Sequence, residues 1–114
     1  RIGHGVRSVE DPALMAELVK RGIALEVCPG SNIALSVYLD LASHPLNTIL
    51  QAGISTTLNA DDPPFFATTI GAEYQAGAKD FGLDLEQLRD ISRMAMQASF
   101  ADADTKIRLL AVIG

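Results

Sequence analysis

The sequence predicts an α/β fold with parallel strands, and three observations carry that prediction. Short apolar runs rich in β-branched residues alternate with stretches of helical spacing, at 2–6, 23–28 and 54–60 for the strands. Two strand–helix units repeat in kind: Asp11-Pro12, helix, Gly22-Ile23, strand, Cys28-Pro29 parallels His44-Pro45, helix, Gly53-Ile54, strand, Asp62-Pro63. With a helix in each connection, consecutive strands run parallel, because an antiparallel hairpin has no room for the helix.

Arg1-Ile2-Gly3-His4-Gly5-Val6 reads as the end of a strand, and the glycines beside His4 let a ligand or another backbone approach it closely. An ordinary hydrogen-bonding role for His4 explains the same residues. Glu10-Asp11-Pro12 then opens a helix over about 11–21, with Leu14, Leu18 and Val19 at helical spacing, Lys20 and Arg21 in the last turn and Gly22 after it.

The strand Ile23-Ala24-Leu25-Glu26-Val27-Cys28 follows, cut by Pro29-Gly30 and continued by a polar loop, Ser31-Asn32. Glu26 is costly in an apolar run unless paired, so a structural salt bridge is expected for it. His44-Pro45 opens a short helix with Leu46, Ile49 and Leu50 on one face, and Gly53 closes it.

Ile54 to Ala60 is the third strand, and Asp61-Asp62-Pro63-Pro64 ends it. Adjacent strand residues point to opposite faces, so Asp61 and Asp62 share a pocket only if the backbone bends where the prolines force it. Asp-Asp-Pro is also good turn chemistry, and both readings stand at this point. Ligand sites of parallel sheets lie beyond the strands' carboxyl ends, which is where His4, the segment 28–32 and Asp61-Asp62 all fall.

Beyond Phe66 the pattern is helical: a stripe of Ile70, Tyr74 and Phe81, weakened by Gly71 and Gly77. Asp84 then caps a helix with Leu85, Leu88 and Ala95 expected inward and Glu86, Arg89, Asp90 and Arg93 outward. A last helix runs from about Asp102 to Val112, and Met94 and Met96 read as core filling.

Composition narrows the function classes. A chain of 114 residues with 48% hydrophobic content is expected to form one globular domain. A net charge of −5 without a basic cluster disfavours nucleic acid, and no apolar run is long enough to cross a bilayer, so small-molecule chemistry is the expectation. One cysteine, Cys28, excludes an intramolecular disulfide and fits a reducing, cytoplasmic setting; no signal peptide is visible.

Taken together, Arg1-Ile2-Gly3-His4-Gly5, Leu25-Glu26-Val27-Cys28-Pro29 with Ser31-Asn32, His44-Pro45, and Leu58-Asn59-Ala60-Asp61-Asp62-Pro63 resemble the adenosine deaminase family of the amidohydrolase superfamily in order and spacing. The resemblance implies the C-terminal portion of a (β/α)8 barrel, about three strands plus terminal helices, because eight strands need about 250 residues. It implies hydrolytic deamination of a 6-aminopurine, adenosine or adenine, at one zinc ion. Asp61 would be a zinc ligand that also accepts a hydrogen bond from the metal's water, Asp62 would bind the purine's imidazole edge, and His4 would hold or deprotonate the attacking water.

The family's other zinc-binding histidines and its general-acid Glu have no counterpart in these residues, so the resemblance implies that the remainder of the barrel, or another chain, supplies them. His44 is expected to be structural or capping, Cys28 a buried loop thiol, and Ser31-Asn32 part of the pocket wall. The rival expectation is a non-catalytic α/β fragment acting by association, since three parallel strands leave open edges.

Overall fold

A computed structural model describes residues 1–114. Its centre is a parallel sheet in the order β1 (Ile2–Gly3), β2 (Leu25–Val27), β3 (Thr56–Leu58). Ile2 pairs with Leu25, Leu25 with Thr56 and Val27 with Leu58. Backbone bonds extend this ladder past the strands: the His4 amide donates to the Glu26 carbonyl at 2.8 Å and the Asn59 amide to the Val27 carbonyl at 2.9 Å. All three strands therefore end together on one rim.

The repeated helix signals position that rim. Asp11 accepts from the Ala13 and Leu14 amides, Pro12 starts α1 (Pro12–Arg21), and Gly22 closes it at φ 62°. A 3₁₀ turn over Val6–Glu10 joins β1 to α1. In the second unit α3 (Leu46–Gln51) returns the chain to β3. Its buried Leu46 and Ile49 join Leu18, Leu25, Val27, Ile54, Leu58 and Ile91 in one apolar core. Glu26 is paired as expected, with Arg1 at 2.9 Å, and Arg1 in turn lies over the Phe100 ring.

Several local expectations are corrected. The Pro29-Gly30-Ser31-Asn32 stretch is not a loop but the start of α2 (Pro29–Ala34), since Pro at the first helical position sacrifices no bond and the segment packs inside. A short helix, α4 (Pro63–Phe66), follows the third strand, and α5 runs Ile70–Lys79. Ile70 is exposed rather than inward, and Phe81 is buried just beyond the helix end.

In α6 (Leu85–Ala98) Ile91 is buried, 1% exposed, and Leu88 and Met94 pack against the core as expected, whereas Leu85 is 65% exposed. Leu85 is the first residue after the Asp84 cap, so it stands at the mouth of the helix and not against the sheet. Gly77 explains how α5 and α6 approach: a Cβ there would sit 2.9 Å from Leu88 Cδ2. The last helix, α7 (Ala103–Ile113), begins after an Asp102 cap, as the spacing predicts.

Candidate active site

Two of the three sequence-selected residues meet at the rim. His4 Nε2 lies 3.6 Å from Asp61 Oδ2, with the two side chains 43% and 25% exposed. Each is delivered by a backbone that most residues avoid: His4 has φ 56° and Asp61 φ 55°, the left-handed region. At Asp61 this reversal supplies the bend that the sequence required. After His4 the chain continues through Gly5 at φ 69°, where a Cβ would come within 2.7 Å of Leu25 Cδ2.

Asp61 is held by one direct bond, and the chain leading to it is braced by a second residue. The fully buried Ser31 hydroxyl donates to Asp61 Oδ2 at 2.7 Å. The Asn59 side-chain amide donates to the Val27 carbonyl at 3.1 Å and to Thr57 Oγ1 at 2.8 Å, tying the ends of β2 and β3 just before the acids. Asp62 is not drawn into this cluster. It is exposed, and its carbonyl accepts from the Phe65 and Phe66 amides to start α4, while its side chain makes no cap bond.

Cys28 completes the group. Donor atoms of His4, Cys28 and Asp61 all lie within 4.8 Å of one another. The thiol is pushed up to about 12 by burial first, then by the charges of Asp61, Glu73 and Glu26. A thiol so held is protonated at neutral pH, in keeping with a buried loop thiol.

A zinc ion takes imidazole nitrogen and carboxylate oxygen, and both are present here. His4 Nε2 faces the carboxylate, and Nδ1, the other ring nitrogen, is buried with no hydrogen-bond partner. The donor set fits a metal, though these residues alone fall short of the three protein ligands a catalytic zinc site uses.

His44 lies apart from this cluster and is committed elsewhere. It is 5% exposed, its Nε2 bonds Asn32 Oδ1 at 3.0 Å, and its Nδ1 accepts from the Leu46 amide at 3.2 Å. Tyr38 and Phe81 meet its ring edge-on. Burial lowers its pKa to about 4, so it is a neutral structural group that caps α3. Asn32 therefore serves His44 and Ser31 serves Asp61.

Parallel strands joined through helices, with chemistry-bearing side chains on one rim, are the architecture of a portion of a parallel α/β barrel. A family profile described as adenosine deaminase matches residues 1–114, and the chain belongs to that family. It is 51% identical over 114 residues to an adenine deaminase of Agrobacterium fabrum, covering 100% of this chain and 35% of that protein. It superposes with a TM-score of 0.96 on an adenine deaminase from Arthrobacter aurescens, at 31% identity, covering 99% of this chain and 35% of that one. An amidohydrolase from Burkholderia ambifaria with bound Zn matches with a TM-score of 0.87 at 25% identity, over 99% of this chain and 32% of that one. The chain thus spans about a third of the length of the relatives it matches, and its architecture is the C-terminal portion of their barrel.

Proposed function

We propose that these residues form part of the active site of a zinc-dependent purine aminohydrolase, which hydrolyses a 6-aminopurine and releases ammonia. The observation that carries this reading is the convergence of His4 and Asp61, 3.6 Å apart on a common strand-end rim, with Ser31 bonded to the acid. Adenine is the favoured substrate, because the relatives named above that carry a substrate in their names are adenine deaminases.

In this reading Asp61 is one ligand of a single zinc ion, and the remaining ligands and the general acid come from barrel segments outside these 114 residues. The chemistry zinc supplies when bound in such a site is acidification of water to a pKa of about 7. With the metal in place, His4 would hold the attacking water and accept its proton as the water adds to the carbon bearing the amine. Asp61 also accepts a hydrogen bond from the water. Asp62, exposed beside the site, bonds the imidazole edge of the purine and sets the ring's orientation.

A second reading has an observation of its own. Leu39, Phe65, Phe100 and Val112 are each at least 78% exposed, apolar side chains that these 114 residues do not bury. In that case the 114 residues by themselves bind a partner and catalyse nothing. A hydrolysis screen separates the readings: zinc-loaded full-length protein is offered adenine, adenosine and N6-substituted adenines, and ammonia is measured. Turnover of adenine supports the deaminase reading, and no zinc-dependent turnover of any of them contradicts it.

A further inference from the structure

The geometry points to Glu73 as a positioning residue that clamps together the two segments carrying Ser31 and Asp61. Glu73 lies in the first turn of α5 and is 3% exposed, the most enclosed acid in the chain. A buried carboxylate is costly unless its oxygens are bonded, and these are bonded by neutral donors. Oε2 accepts from the Gly30 amide at 3.1 Å and Oε1 from the Thr68 hydroxyl at 2.7 Å.

Each bond reaches a different part of the site. Gly30 is the residue before Ser31, in the opening turn of α2, and Ser31 donates to Asp61. Thr68 follows α4, the helix that begins on the Asp62 carbonyl, so the same carboxylate fixes the far end of the segment that carries both acids. Close approach is built in, since a Cβ on Gly30 would collide with the Glu73 carboxylate. Glu73 thus touches neither His4 nor Asp61, and it acts on them through Gly30–Ser31 and through Thr68.

The rate consequence rests on the deaminase reading, whereas the structural one does not, and the test separates them. Glu73→Ala, Glu73→Gln and Thr68→Val are made in the full-length protein, and kcat, KM and amide exchange at Gly30, Phe66 and Leu58 are measured. Glu73→Ala is expected to lower kcat about tenfold or more with KM within about twofold, and to speed Gly30 exchange about tenfold while Leu58 is unchanged. Glu73→Gln keeps both bonds if the Thr68 hydroxyl turns to accept, so its kcat stays within about threefold of the wild type.

Should Glu73→Ala fail to fold, Thr68→Val removes the other bond and leaves that of Gly30 in place, so it is read by a smaller fall in kcat and by faster exchange at the Phe66 amide of α4. Unchanged Gly30 exchange in Glu73→Ala, or unchanged Phe66 exchange in Thr68→Val where that variant stands in, overturns the clamp. So does a loss spread equally over kcat and KM, or a Glu73→Gln variant as impaired as Glu73→Ala. A wild type without purine turnover overturns the deaminase reading, and the exchange rates then decide the clamp alone.

Discussion

The Ser31 hydroxyl donates to Asp61 Oδ2 at 2.7 Å from a site with no solvent exposure. One short helix thereby fixes the orientation of the acid that ends the next strand. Ser31→Ala removes the donor and leaves a carboxylate oxygen facing an apolar wall, which is expected to lower kcat about tenfold. Zinc content should hold, because the proposed ligand Asp61 is itself untouched. Steady-state kinetics with metal analysis checks this, and an unchanged kcat would mean that Asp61 is oriented by something else.

His4 and Asp61 should fail differently. His4→Ala is expected to retain zinc while losing about 10²–10⁴-fold in kcat, the usual contribution of a positioned acid–base group. A variant with wild-type turnover would remove His4 from the reaction.

The core makes a prediction independent of chemistry. Ile91 is 1% exposed, and Ile91→Ala is expected to cost about 2–5 kcal/mol of stability. Leu85 is 65% exposed, and Leu85→Ser should stay within about 0.5 kcal/mol. Denaturant unfolding of the two variants tests the contrast, and equal losses would mean that α6 packs on a different face.

Acid should weaken the fold through His44. Its pKa falls from 6.5 to about 4 through burial, so between those values the unfolded chain binds a proton that the folded one refuses. Stability is then fully present above about pH 6.5 and is lost as pH falls towards 4, with a slope approaching about 1.4 kcal/mol per pH unit. Replacing His44 by Gln should flatten that part of the profile of unfolding free energy against pH, at some cost in overall stability. A slope equal to that of the wild type would assign it to other groups.

What was legible in the sequence follows how local each signal is. Asp11, Asp84 and Asp102 mark helix starts by accepting from amides two or three residues on, and Gly22 marks a helix end by donating its own amide to the Val19 carbonyl, and the structure places them there. The shared rim was legible because parallel order follows from alternation. Partners far apart in sequence were not: nothing near Glu73 announces that it bonds Gly30, 43 residues earlier. The bond from Ser31 to Asp61 is not legible in the sequence, because a two-residue polar stretch after Pro29-Gly30 looks like a turn until its burial is known. The exposure of Leu85 is not legible either, since helical spacing fixes a stripe but not its phase near a cap.

The most direct test of the central claim joins metal to chemistry at one carboxylate. Full-length wild type and Asp61→Ala are purified, their zinc is quantified, and ammonia release from adenine is followed with and without a chelator. The account predicts one zinc per wild-type chain, turnover that the chelator abolishes and added zinc restores, and neither tight zinc nor turnover in Asp61→Ala. An Asp61→Ala protein that keeps stoichiometric zinc and deaminates adenine at the wild-type rate would contradict it.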